Sequence, residues 1–191
     1  MTIKPYHHGD LKNALIEAGI EHIGERGINQ FSLRKVAERC GVSHTATYAH
    51  FKDSDALLQA MSDHISNQFA ETLEAVIEGQ DICADTLNNL GHAYIDFFIE
   101  HPNYFSFLFY LPGVKIDLDH ENIDDYPPFV LFRNLAFRLY DKLGLPNAMQ
   151  KQMLVFNWAQ VHGIAALASN KNIKYSGDWM PVLDSGAIMK C

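Results

Sequence analysis

The stretch Ser32-Leu33-Arg34-Lys35-Val36-Ala37-Glu38-Arg39-Cys40-Gly41-Val42-Ser43-His44-Thr45-Ala46-Thr47-Tyr48-Ala49-His50-Phe51 decides how this chain folds at one end. Ser32 can cap a short helix over 33–40, because a serine oxygen accepts from the unpaired amides of a first helical turn. Gly41 permits a sharp reversal, having no Cβ, and Ser43 can cap a second helix over 44–50. Helix, short glycine turn, helix is the helix-turn-helix pattern. Val36, Ala37 and Val42 are the apolar residues that would hold the pair against a further helix. The polar residues of the second helix then face outward, where such a helix enters a DNA major groove.

Outward from this stretch the pattern stays helical. Toward the N-terminus, Asp10 can cap a first helix, and Leu11, Ala14, Leu15 and Ala18 recur at the spacing of one helical face. Gly27 ends it as a left-handed C-cap. Toward the C-terminus, a long helix is expected over 54–78, with Leu57, Leu58, Met61 and Ile65 inward. Further helices are expected near 83–100, 102–111, 127–143, 147–170 and 178–189, punctuated by Pro102, Pro112, Pro127, Pro128 and Pro146. No stretch combines two-residue alternation with turn signals, so no strand is expected. The expected fold class is all-α. A three-helix, homeodomain-like head over 1–52 is followed by a helical bundle over 53–191, and the helix 54–78 links them.

Composition agrees with a folded protein. The chain has 191 residues, 48% hydrophobic and 20% charged, which excludes the disordered class. Its formal net charge of -8 argues at first sight against nucleic acid, because phosphates are neutralised by Lys and Arg. The charge is unevenly spread, however: residues 1–52 carry +2 and residues 53–191 carry -10. Cys40, Cys83 and Cys191 are far apart and form no CxxC pair, which suits reduced thiols. No apolar signal segment opens the chain and no apolar run reaches membrane-spanning length, so the expected location is the cytoplasm.

The run Gly41-Val42-Ser43-His44-Thr45-Ala46-Thr47-Tyr48-Ala49-His50-Phe51 resembles the head of TetR-type transcriptional regulators. The likeness extends back through the first helix, Gly27 and Ser32-Leu33-Arg34, and forward to Leu57-Leu58. His8-Gly9-Asp10-Leu11, together with Trp158 and His162-Gly163, is similar to the branch with a Trp-His-Gly C-terminal domain. The resemblance implies a ligand-responsive regulator, a repressor, that binds a pseudo-palindromic operator as a dimer and is released by an effector. It also matches Tyr48 and His50 to the phosphate-contacting tyrosine and histidine of that family. Two positions depart from the family pattern: Ala49 stands where a basic residue is frequent, and Ser54 where a lysine is. The backbone amides at the start of the helix over 54–78 could still hold an anion.

The residues themselves suggest roles. Arg34 has the planar fork that bonds guanine bidentately, His44 and Thr45 can reach base edges, and Ala46 can meet a thymine methyl. Thr47, Tyr48, His50 and Lys52 can donate to phosphates, which fixes position without reading sequence. In the bundle, rings crowd between 94 and 158. Phe98, His101, Phe105, Phe109, Phe132, Trp158 and His162 are the candidates to line an apolar effector pocket with a few polar groups. The helix 147–170 is apolar on most of its circumference and must bury a second face, as the helices of a two-fold dimer do.

Competing readings are weaker. His7-His8 lacks a third metal ligand and reads as an N-terminal arm. Asp117, Asp119 and Glu121 lack the glycine and distal glutamate of a calcium loop. No HExxH, GxSxG or P-loop pattern occurs, so no enzyme, metal or cofactor is expected. The alternative kept open is a helical ligand-binding or scaffolding bundle whose DNA-binding head is degenerate.

Overall fold

A computed structural model describes residues 10–111, 114–118 and 126–186. Among the described residues every regular element is helical: α1 (Leu11–Arg26), α2 (Leu33–Cys40), α3 (His44–Thr47), α4 (Ser54–Ile77), α5 (Ala84–Glu100), α6 (Pro102–Tyr110), α7 (Pro127–Lys142), α8 (Asn147–Ser169) and α9 (Met180–Gly186), with a short 3-10 turn at Ile28–Gln30. No helix of the described residues is long and apolar enough to cross a membrane. The expected N-terminal arm at His7-His8, the loop acids Asp119, Glu121, Asp124 and Asp125, and the end of the helix expected over 178–189 lie outside the described residues.

Two compact units emerge. The first comprises the described residues of Met1–Ile65 and Ser106–Gly113, and the second those of Ser66–Phe105 and Val114–Cys191. α4 runs unbroken from the first unit into the second, so the units divide inside that helix and not at its start.

The caps of the first unit follow from its sequence. The Asp10 carboxylate accepts from the Asn13 amide, the Ser32 hydroxyl from Lys35 and the Ser43 hydroxyl from Ala46. Gly41 takes φ 69° and ψ 24°, the left-handed conformation the turn demands. Gly27 differs from expectation. It has φ 78° and ψ 161°, an extended positive-φ state that leads directly into the 3-10 turn. Leu15, Val36, Ala37, Leu57, Met61 and Ile65 form the buried core. Each such large side chain contributes roughly 1.5–3 kcal/mol. α1 and α4 pack tightly where Gly19 lies under Met61, since a Cβ there would sit 2.8 Å from the methionine sulfur. The same helix pair is tied by Glu17 and His64, whose Oε1 and Nε2 are 2.6 Å apart. Arg39 on α2 reaches back to α1 and donates to Glu21 at 2.7 Å and Glu25 at 2.8 Å. That hydrogen bond holds the Glu25 carboxyl below its usual range.

The second unit is a bundle of the C-terminal part of α4 with α5, α7, α8 and α9. Phe69 on α4 sits in its core against Tyr94, Phe97 and Phe98 of α5. Gly91 lets three helices meet, because a Cβ there would lie 2.9 Å from Leu183 of α9 and 3.1 Å from Val161 of α8. Beside it the Asp184 carboxylate accepts from the Asn88 amide at 3.0 Å and pairs with His92 at 2.8 Å. α9 is therefore fixed by an apolar contact and a polar one at the same turn.

Candidate nucleic-acid interface and effector cluster

The helix-turn-helix presents most of its predicted residues to solvent. Arg34, His44, Thr45, Tyr48, His50 and Lys52 are exposed, and Ala46 is half-buried. The Arg34 side chain is 76% exposed and its Nε donates to Glu38 one turn on, at 3.0 Å, so its fork is held along α2 and remains reachable. The His44 ring meets the Tyr48 ring edge-to-face, with centroids 4.9 Å apart. Tyr48 itself is 51% exposed. Lys52 is exposed, with its ammonium 3.8 Å from Asp53.

Two expectations for this head need correction. Thr47 is fully buried and its hydroxyl donates to the His44 carbonyl at 2.7 Å, so it closes the turn of α3 and has no hydroxyl to offer a phosphate. The helix expected over 44–50 stops at Thr47. Tyr48, His50 and Phe51 continue as tight turns bonded to Thr45 and Thr47 carbonyls. At the start of α4 the Asp53 carboxylate accepts from the Ala56 amide at 2.8 Å and brings its own negative charge to that helix end.

In the second unit the rings gather around His162. Phe105 lies 5.0 Å and Trp158 5.2 Å from its centroid. Phe129 of α7 meets Trp158 at 5.4 Å, and Phe132 lies 6.1 Å from Phe129. Phe98 packs on Phe105 at 5.1 Å. His101 stacks on Tyr104 at 4.7 Å with 13° between planes, at the corner of α5 and α6. The Tyr94 hydroxyl and His162 Nδ1 are 2.9 Å apart. Burial pushes the His162 pKa below its usual 6.5, so the imidazole is neutral near pH 7. Burial, with the Tyr126 phenol nearby, raises Tyr94 well above the usual phenol range. Six of the seven ring and histidine candidates thus lie in the second unit; Phe109 falls in the first.

Comparison with known proteins fits this geometry. Residues 15–61 match the sequence model of the family described as bacterial regulatory proteins, tetR family. Residues 87–185, more than half of the chain, match the one described as tetracyclin repressor-like, C-terminal domain. The chain belongs to the TetR family.

Among TetR relatives, the chain is 39% identical over 51 residues to the tetracycline repressor protein class A from transposon 1721 of Escherichia coli, a match covering 27% of this chain and 24% of that protein. It is 27% identical over 89 residues to the nicotine-responsive transcriptional repressor HdnoR of Paenarthrobacter nicotinovorans, covering 47% and 44%. The chain therefore spans less than half the length of these two relatives. In three dimensions it resembles the transcriptional regulator FadR of Bacillus subtilis in complex with stearoyl-CoA, with a TM-score of 0.68, 16% identity, and 92% and 95% of the two chains covered. At that identity the likeness is one of fold. The matched C-terminal description names no Trp-His-Gly branch.

The TetR bundle also holds residues that sequence patterns did not single out for a site. Tyr94 opens the ring-rich segment of the sequence, but its bond to His162 spans 68 residues and has no local signal. Phe69 lies on α4, outside the ring-rich segment between 94 and 158. Arg133 is a buried cation on α7 whose guanidinium lies 5.9 Å from the Phe129 ring centre. A lone arginine in a helical pattern reads as surface, and only packing shows otherwise.

Proposed function

We propose that this TetR-family chain is a dimeric, ligand-responsive transcriptional repressor that binds a pseudo-palindromic operator in double-stranded DNA and is released by a small apolar effector. The observation that carries the DNA reading is the outward row Arg34, His44, Thr45, Tyr48 and His50 on a capped helix-turn-helix. In this reading Arg34, His44, Thr45 and Ala46 contact bases, while Tyr48, His50 and Lys52 contact phosphates. The relatives' names support the ligand response: one is a tetracycline repressor and another is nicotine-responsive.

The dimer reading is supported by α8. Met149, Phe156 and Leu167 are exposed, and their spacing puts them on one face with Gly163. Val182 adds an exposed apolar side chain on α9. A second copy packing α8 and α9 against its own would cover this surface and set two heads about one DNA turn apart, roughly 34–36 Å. The effector reading is supported by the ring cluster around His162, for which Phe98, His101, Phe105, Phe132, Trp158 and His162 are the proposed lining. Effector binding would favour one shape of the second unit and act on the heads through α4, the helix common to both units.

Selection of sites from random duplex DNA tests the reading. A palindromic site should emerge, Tyr48→Phe should weaken binding to all sequences, and Arg34→Ala should relax the preference at one position per half-site. Enrichment of no site at all would favour the second reading, a ligand-binding bundle with a degenerate head. That reading draws on Ala49 and Ser54, which stand where the family resemblance puts cations, and on the Asp53 carboxylate, which accepts from the Ala56 amide at the start of α4.

A further inference from the structure

The two arginines of α2 are attached differently. Arg39 is engaged by both Glu21 and Glu25 of α1. Arg34, among the described residues, makes one side-chain hydrogen bond: its Nε donates to Glu38 Oε1 at 3.0 Å, one helical turn on. Both side chains are exposed, at 76% and 61%. The order of this pair is the reverse of the one that stabilises a helix, where the acid precedes the base and faces the positive N-terminal end. Helix stability therefore gives no reason for it. A guanidinium offers a planar acceptor two pairs of donors, the Nε–Nη side or the Nη1–Nη2 end. Glu38 takes the Nε of the side pair, so the end pair is the one left to match guanine O6 and N7.

Pairing also changes what Arg34 is drawn to. A lone cation on a DNA-facing surface goes to phosphate, and a phosphate contact reads no sequence. Arg34 beside Glu38 is a near-neutral unit: attraction to phosphate is largely cancelled, while the two end donors that fit a guanine edge are kept. Resting on the DNA reading of the head, we propose that Glu38 is a positioning residue for base recognition. It presents Arg34 to guanine by the Nη1–Nη2 end and withholds it from phosphates. The pair then adds sequence preference and little non-specific affinity.

Two measurements on the full chain test this. In the free, ¹⁵N-labelled protein the Arg34 Nε–H signal, identified by its loss in Arg34→Ala, should shift in Glu38→Gln. A signal indifferent to that change overturns the pairing. Binding is then followed across a potassium chloride series on three duplexes: the site selected by the unmodified chain, the same site with the base pair read by Arg34 replaced, and a scrambled sequence. In Glu38→Gln the guanidinium is freed to reach phosphate. Affinity for the scrambled duplex should rise by up to about 8-fold at about 0.1 M salt, and the slope of log K on log salt should steepen by up to about 0.9, the yield of one phosphate contact. Preference for the guanine should fall by about 2- to 5-fold. Both changes should vanish when Glu38→Gln is made together with Arg34→Ala, because Glu38 acts through Arg34. A Glu38 that served only the fold of α2 would move the melting temperature and neither of these readouts. An unchanged salt slope, an unchanged preference at that base pair, or changes that persist without Arg34 overturn the proposal and leave the DNA reading standing. An unmodified chain that selects no site overturns the DNA reading, and the proposal with it.

Discussion

Thr47 and Tyr48 are neighbours with opposite duties, and only the fold separates them. Thr47 is buried and bonded to the His44 carbonyl, whereas Tyr48 is half exposed beside it. Thr47→Val should lower the stability of the head by about 0.5–1.5 kcal/mol, the worth of one lost hydrogen bond, and leave the salt dependence of DNA binding unchanged. Tyr48→Phe should do the reverse, weakening operator binding with no change in melting temperature. Denaturant titration and binding isotherms on both variants check this. Residue type alone made both candidates, because both are polar and lie in the same helical run, and only the family resemblance favoured Tyr48. α3 ends at Thr47, with Tyr48 as its C-cap, so the two residues stand on either side of the helix end. Arg39 teaches the same lesson: it reads as one more cation of the head, but it is spent on Glu21 and Glu25. Because these groups are partly exposed, the pairs contribute at most about 1 kcal/mol.

Single elements carry two further expectations. The start of α4 lacks the cations usual in the family, and Asp53 caps it. Introducing Ala49→Arg and Ser54→Lys should therefore steepen the dependence of log K on log salt by about 0.9 for each phosphate newly contacted. Affinity measured across a series of potassium chloride concentrations tests this, and an unchanged slope would remove both positions from the DNA face. On α8, a Cβ built on Gly163 would meet no described atom within 4 Å. In a helix facing only water, Gly163→Ala would stabilise the fold by roughly 0.5–1 kcal/mol. If a second copy packs there, the added methyl should instead raise the dimer dissociation constant. Sedimentation equilibrium of Gly163→Ala is expected to show weaker association. A higher melting temperature with unaltered association would move the dimer contact elsewhere. The helices themselves were legible from caps, prolines and apolar spacing. Their ends were less so: the capping of α4 by Asp53 and the extended state of Gly27 depend on side chains and turns outside the periodic pattern.

At the scale of the molecule, stability should be linked to the proton affinity of His162. Burial depresses its pKa below 6.5. As pH falls through 6.5, the unfolded chain takes up a proton that the folded chain does not, so folding loses stability toward acid. His162→Gln should flatten the acid side of a melting-temperature profile measured between about pH 7 and 5 at one fixed protein concentration. An identical slope in the variant would show that other groups govern the acid limb. The uneven charge acts at this scale too. With -10 on residues 53–191 the bundle would repel a duplex, and in the proposed function the head with its +2 is the end that approaches it. In the proposed dimer, so small a surplus would make a single head a weak binder and give two linked heads their advantage.

What the sequence determined by itself was local: capping side chains, the glycine turn at Gly41, helical periodicity and the motif over 41–51. These are enforced within one or two turns of helix, so their physics is written in adjacent residues. From them came the all-α class and the family likeness. The tertiary structure decided what depends on distant partners. It buried Thr47, engaged Arg39 with α1, set Arg133 inside the bundle, assigned Phe109 to the first unit, and brought Tyr94 to His162. Those outcomes follow from which helices pack together, and packing sums many weak contacts that no short stretch of sequence contains.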